Sequence, residues 1–354
     1  MPKAKTILIF LATIMFLAIA GLIMFGSRIF KANIAVKNIP ISIGLSIDQT
    51  LSDRWQKERA YITEHAAALG ATVTSHVAHS DDATQIAQID SLISQKVDVL
   101  MVVAHNAPAL IPILAKAHEA GIKVFAYDRL LTNSPDVDFY ISFDNVKVGR
   151  LEAQGILDLV PKGNYAYMGG SPTDNNALLV KKGSMEVLQP KIDDGDIKIV
   201  YDAFTKDWNA DEAYKNLKGY LATSTTKIDA IVAASDNVSL GAILALQEHG
   251  LAGKIPISGQ DAEIQALKRI VEGTQTLTVY KKIKAMAYKA TEIAIALAKG
   301  EPEESNASTN NGVIDIPSYL MDVTLVDKNN IADTVIKDGL YTYEDIYGTK
   351  PKAR

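Results

Sequence analysis

Residues 97–129 read VDVLMVVAHNAPALIPILAKAHEAGIKVFAYDR. Positions 97–103 form a short apolar run broken only by Asp98, positions 109–119 read as a helix, and positions 122–126 form a second apolar run. Short, near-continuous apolar runs suit strands buried on both faces, and two of them separated by a helix read as parallel neighbours. The unit repeats outward. Upstream, Ile41, Ile43, Leu45 and Ile47 alternate with Ser42, Gly44 and Ser46 as in a strand. Trp55, Ile62, Ala66 and Leu69 then recur at helical steps up to Gly70, a helix-ending glycine. Downstream, strands are predicted at 139–143, 165–168, 197–201, 230–234, 255–258 and 276–280, nearly all separated by helical stretches. This many alternations make an α/β protein with doubly wound, mostly parallel sheets, better divided between two lobes than held in one sheet. The one clearly polar stretch, EPEESNASTNN at 301–311, reads as a surface loop.

The 354 residues are 48% hydrophobic and 22% charged, enough for two lobes that each bury a core. A net charge of −5 gives no grip on phosphate backbones, so no nucleic acid is expected. Without cysteine, thiol catalysis, Cys-ligated zinc, iron–sulfur clusters and disulfides are excluded. Gly169-Gly170 lacks the pattern of a phosphate-cradling loop. His76 and His79, three residues apart near a strand end, place their rings on opposite faces. No metal and no cofactor is expected.

The run TILIFLATIMFLAIAGLIMFG at 6–26 carries no charge. About 20 such residues cover a hydrocarbon core roughly 30 Å thick. A cleaved signal peptide competes with this reading, because Lys3 and Lys5 precede the run and Ala18-Ile19-Ala20 resembles a cleavage site. That site lies inside the run, however, with apolar residues 22–25 still to come, and a lipid tether would need a cysteine. The expectation is an uncleaved transmembrane helix with a cytoplasmic tip at 1–26 and a linker at 27–38. The chain would then be a single-pass protein of the cell membrane with its folded part extracytoplasmic. Lys3 and Lys5 on one side against Arg28, Lys31 and Lys37 on the other do not set the orientation by charge.

In open parallel sheets, ligands sit beyond the carboxyl ends of the strands. Asp128-Arg129 follows 122–126, a polar group at 171–176 follows 165–168, and Ser235-Asp236 follows 230–234. Gln260-Asp261 follows 255–258, Lys281 follows 276–280, and Trp208 ends a sixth segment. One strand-end Asp is often a helix cap; five such groups point to a ligand site. Asp accepts hydrogen bonds, Arg and Lys donate them, Asn does both, and an indole covers an apolar ring face. Together these are the needs of a sugar.

DRWQKER (53–59), AYDR (126–129), DFYISFDN (138–145), MGGSPTDNNA (168–177), ISGQDAE (257–263), GTQTLTVYK (273–281) and KNNIADTVIKDG (328–339) closely resemble bacterial D-xylose-binding proteins, over about residues 40–340. Within AYDR the Asp-Arg pair is shared with ribose, galactose and related receptors; the combination is specific. The resemblance implies two Rossmann-like lobes of the periplasmic-binding-protein type I class, joined by three crossovers and closing on a sugar. The N-terminal lobe is then 39–143 plus 282–311, the C-terminal lobe 144–281 plus 312–345, and the tail 346–354. It implies polar contacts to D-xylose or a related monosaccharide from Arg54, Lys57, Asp128, Arg129, Asp174, Asn176, Asp261 and Lys281, and aromatic contacts from Trp55 and Trp208. Asp144-Asn145 matches the first crossover, a hinge. Two positions depart from the family pattern. Ala234-Ser235-Asp236 stands where Ser-Asn-Asp is usual, so the Ser235 hydroxyl replaces a carboxamide at the ligand, and His105-Asn106 replaces Pro-Tyr-Asn.

An enzyme would need a proton-donating acid among Asp128, Asp174, Asp236 and Asp261. Arg129, Lys57 and Lys281 beside them are expected to hold them ionised, so no catalytic residue is expected. A sugar-responsive repressor would carry a helix-turn-helix where this chain has an apolar run. Two outputs remain: an ABC permease that accepts the sugar, or a membrane histidine kinase that reads closure. The spanning segment favours the kinase, because transport receptors are typically released or lipid-tethered.

Overall fold

The computed structural model describes residues 40–49 and 52–348. The expected anchor at 1–26, the linker at 27–38 and residues 349–354 of the expected tail lie outside the described residues. Among the described residues no helix is long and apolar enough to cross a membrane.

The first lobe begins with β1 (Ser42–Ile47), α1 (Asp53–Ala68), β2 (Thr72–Val77), α2 (Asp82–Ser94), β3 (Val99–Val103), α3 (Ala107–Glu119), β4 (Lys123–Tyr127) and β5 (Phe139–Phe143). The chain crosses at Asp144 into a second lobe of α4 (Asn145–Leu157), β6 (Gly163–Gly169), α5 (Asn175–Asp193), β7 (Ile197–Phe204), a 3-10 turn (Lys206–Trp208), α6 (Ala210–Thr223), β8 (Ala230–Ala233), α7 (Asp236–Glu248), α8 (Ile264–Glu272) and β9 (Leu277–Lys281). At Lys282 it returns with α9 (Ile283–Lys299), β10 (Ala307–Asn310) and β11 (Asp315–Met321), and at Asp322 it leaves for β12 (Val323–Asp327) and α10 (Tyr343–Tyr347).

The first sheet runs β10-β11-β5-β4-β3-β1-β2, parallel except for the β10–β11 hairpin. Alternate residues of β3 serve opposite cores. Val99, Met101 and Val103 pack with Ile62, Met286 and Ile293 beneath α1 and α9, while Leu100 and Val102 pack with Ile89, Leu110 and Leu114 beneath α2 and α3. Burial on both faces is why this strand is apolar throughout, each such side chain contributing about 1.5–3 kcal/mol. The second lobe pairs β7-β6-β8 in parallel and β12-β9 antiparallel. The segment 255–258, expected as a strand, makes only the single bridge of Ile257 to Ile231, and Gln260 bridges Val279, so these residues join the two smaller sheets.

Three expectations are corrected. The polar stretch 301–311 contains edge strand β10, whose residues alternate between half-buried and exposed, a pattern polar enough to pass for a loop. The return to the second lobe does not come at 312: β11 pairs with β5 as far as Met321 opposite Phe143, so the crossing is at Asp322, where Lys147 Nζ meets Asp322 Oδ1 at 2.5 Å. The tail expected from 346 also gives way in part, since Ile346 is buried in the second lobe.

Candidate functional site

Asp128, just past β4, sits in the left-handed region at φ +61. Its neighbours hold it there: its N–H donates to Ile141 O (2.8 Å), and its carbonyl accepts from Ser142 Oγ (2.7 Å), Asn176 Nδ2 (3.1 Å) and Tyr140 Oη (3.2 Å). Strained backbone persists where surroundings over-determine it, as here. The carboxylate caps no helix. Its Oδ2 lies 2.5 Å from Arg54 Nη2, and its Oδ1 accepts from Asn176 Nδ2 at 3.0 Å.

Arg54, in the first turn of α1, is 6% exposed and faces three carboxylates. Besides Asp128 it reaches Glu58 Oε1 through Nε (2.6 Å) and Asp261 Oδ1 through Nη1 (2.9 Å). Tyr127 Oη donates to the other Glu58 oxygen. Arg129 donates from Nη1 to Asp48 Oδ2 (2.7 Å) and Ala104 O (2.8 Å), while its Nε lies 3.0 Å from Asp174 Oδ2. Asp174 also caps α5 through Asn176 N (2.9 Å) and accepts from Trp208 Nε1 (3.1 Å). Lys281 Nζ, at the end of β9, lies 3.3 Å from Asp261 Oδ1. Three of these contacts, Arg54–Asp261, Arg129–Asp174 and Asn176–Asp128, join one lobe to the other, so the cleft is drawn closed.

The indoles frame the same space. The Arg54 guanidinium lies over Trp55, 4.6 Å from the ring centroid. Trp208 reaches in across Gly170, where a Cβ would stand 2.1 Å from the ring. The space they frame, open solvent at the mouth included, is about 450 Å³.

Burial and charge compete at each carboxylate. For Asp128 burial raises the pKa, but Arg54, Lys281 and Arg129 outweigh it and hold the carboxyl below its ordinary value. Burial wins over Arg129 at Asp174, which is raised. It also pushes Glu58 up to about 7, Asp236 up to about 7 and Glu263 up to about 8, the last helped by the charges of Asp236 and Asp261. The expectation that neighbouring cations keep the carboxylates ionised therefore holds at Asp128 and fails at Asp236, while at Asp174 burial outweighs Arg129 and raises the carboxyl. Asp236 is turned from the cleft in any case: its carboxylate accepts from Glu263 N (2.9 Å) and Gln275 Nε2 (2.8 Å).

Residues 43–302 match the family model described as periplasmic binding protein domain. The chain belongs to the periplasmic binding protein family. This binding protein is 49% identical over 307 residues to the D-xylose-binding periplasmic protein of Haemophilus influenzae, covering 87% of this chain and 92% of that relative. It is 45% identical over 320 residues to the D-xylose-binding periplasmic protein of Escherichia coli, covering 90% and 97%. Among solved structures, an ABC transporter solute binding protein from Clostridium phytofermentans with bound β-D-glucose matches with TM-score 0.81 at 28% identity, covering 86% of this chain and 99% of that one. These relatives are named as sugar- or solute-binding proteins.

In this periplasmic binding protein Arg54, Trp55, Asp128, Arg129, Asp174, Asn176, Trp208, Ser235, Asp261 and Lys281 all line the one cleft. Lys57 does not. It pairs with Asp53 (3.7 Å) and lies over the Tyr341 ring (5.0 Å), because three residues on from Arg54 the helix has carried it about 4.5 Å from the cleft end. Gln49, Ser52, Asn237, Gln260 and Glu263 join the lining. Gln260 was visible beside Asp261, and Asn237 one step past Ser235-Asp236; Gln49 and Ser52 follow β1 beside Asp48 and Asp53, charged neighbours that mark this strand end in the same way.

Proposed function

We propose that this chain is a D-xylose receptor whose lobes close on the sugar and deliver it to an ABC-type permease. The observation that carries the sugar reading is a pair of buried acceptors in the cleft. Among the described residues nothing donates to Asn176 Oδ1 or Gln260 Oε1, although their amide nitrogens are bound to Asp128 and to Ala234 O (2.6 Å). A buried unpaired oxygen costs about 1–3 kcal/mol, which a ligand hydroxyl offsets by donating to it. Charged donors and acceptors around them, with an indole on either side, supply directional bonds and an apolar wall for a ring of hydroxyls. D-xylose is chosen among sugars because relatives at 45% and 49% identity carry its name.

Transport is preferred to signalling. The sensing role beside a histidine kinase rests on the apolar run at 6–26, outside the described residues, whereas the relatives are periplasmic and an ABC transporter's binding protein shares the fold. Titration calorimetry and thermal shift against a pentose and hexose panel test the ligand. D-xylose at 100 times its Kd should add about 2.7 kcal/mol of stability. No heat with D-xylose, but clear binding of another compound class, would sink the assignment. Gene deletion tests the output: with the permease genes expressed constitutively, uptake of labelled xylose should be lost. Intact uptake with lost xylose induction would rule for the sensor.

A further inference from the structure

His105 follows β3 and opens α3 in the first lobe. Its Nδ1 lies 2.7 Å from Asp82 Oδ1, and its Nε2 lies 3.3 Å from Asp207 Oδ1 in the second lobe. The first-lobe side is anchored: His105 N donates to Gln85 Oε1 (2.9 Å), and Asn106 Nδ2 donates to Asp82 Oδ2 (2.9 Å). Asp207 has φ +54 in the 3-10 turn and adjoins Trp208, whose ring lines the sugar cleft. A neutral imidazole has one N–H and can donate to one of the two carboxylates; an imidazolium donates to both.

We propose that His105 is a pH-sensitive clasp whose imidazolium bridges Asp82 and Asp207 when the lobes close, so that protonation favours the sugar-retaining form. The groups facing the ring are Asp82 and Asp81 at the start of α2, Asp48 beyond β1, and Asp207 from the second lobe, with Arg129 held on Asp48 nearby. Burial opposes the imidazolium, but Asp82, Asp48 and Asp207 outweigh it and raise the ring above its ordinary value. Closing replaces water at Nε2 with the Asp207 carboxylate, which favours the charged ring more than water does. The closed form thus binds the proton more tightly than the open one. By linkage, sugar binding takes up a proton, and the gain in affinity is complete below the open-state pKa and is lost as pH rises through the closed-state pKa.

The consequence for affinity rests on the sugar reading of the cleft; the bridge itself does not. The test compares D-xylose Kd at pH 5.5 and 8.5 in the native chain, His105→Gln and Asp207→Asn. Native binding should be about 5- to 20-fold tighter at pH 5.5, with buffer-dependent heats that report proton uptake. Both variants should flatten the profile and lose the uptake. A native slope kept in both variants overturns the clasp, as does one lost in His105→Gln but kept in Asp207→Asn, which would place the effect within the first lobe. If D-xylose does not bind, the functional reading fails and the clasp is read without sugar. The chain has no cysteine, so Gln95→Cys and Lys198→Cys, exposed on different lobes, take a fluorophore pair selectively. Energy transfer should then show more closure at pH 5.5 than at 8.5, abolished by Asp207→Asn; closure indifferent to both overturns the proposal.

Discussion

At Asp128 a left-handed backbone, three bonds to one carbonyl and a carboxylate shared between Arg54 and Asn176 make a pre-set acceptor. Asp128→Asn keeps the shape and tolerates the backbone but removes the charge. D-xylose binding should weaken about 10- to 100-fold, the value of a charge-assisted bond. The unliganded melting temperature should fall modestly at neutral pH, since the variant gives up the stability of the ionised carboxylate while Arg54 keeps Glu58 and Asp261. Calorimetry of both states decides, and retained affinity with a large stability loss would make Asp128 structural. Ser235 has two tasks. Its Oγ caps α7 by accepting from Val238 N (3.1 Å), and it lines the cleft. Asparagine caps a helix equally well and adds an amide donor, so Ser235→Asn should keep or tighten D-xylose binding. A raised Kd by titration would show that the cleft there has no room for the amide.

Elements converge because glycines let them. A Cβ on Gly149 would sit 1.9 Å from Val180 O, and one on Gly183 the same 1.9 Å from Val146 O, so α4 and α5 cross backbone to backbone. Gly170 does the same for an aromatic. Gly170→Ala should push the Trp208 indole out of the cleft, strain worth about 1–3 kcal/mol, and weaken sugar binding accordingly. With only two tryptophans in the chain, a changed emission spectrum and a raised Kd measure this directly; unchanged emission would show that the indole is free to move. Strands buried on both faces were legible as apolar runs. Edge strand β10 and the bridging segment at 255–258 were not, since a polar edge resembles a loop and a single bridge leaves a strand's apolar residues without a strand's pairing.

Across the molecule, burial sets several carboxyls to hold protons near neutrality. Glu263, raised to about 8, keeps a proton in the folded state over a range where the unfolded chain, with an ordinary Glu near 4.5, has released it. The folded state binds more protons there, so this contribution is complete below about 4.5 and is lost as pH rises through about 8. Asp236, raised to about 7, acts in the same sense, whereas Asp128, held low, contributes stability that is lost only in acid. The unliganded melting temperature should therefore fall from pH 5.5 to 8.5. Glu263→Gln should reduce the fall by an amount on the order of 1–2 kcal/mol, discounted for its partly solvated position. An equal slope in the variant, by calorimetry, would remove Glu263 as its source.

The sequence by itself determined the alternation of buried strands and helices, the division into two lobes and the strand ends where polar groups gather. Those follow from local periodicity and from the fact that open parallel sheets present their carboxyl ends to ligands. Ten of the eleven expected site residues reached the cleft; Lys57 lay one helical turn too far along. Only the tertiary structure decided which charges meet. Arg54 and Asp261 are 207 residues apart, and His105 and Asp207 are 102 apart. Whether Asp128 stays ionised while Asp174 does so less readily depends on burial and on distances across the closed cleft, quantities that no local pattern of residues contains.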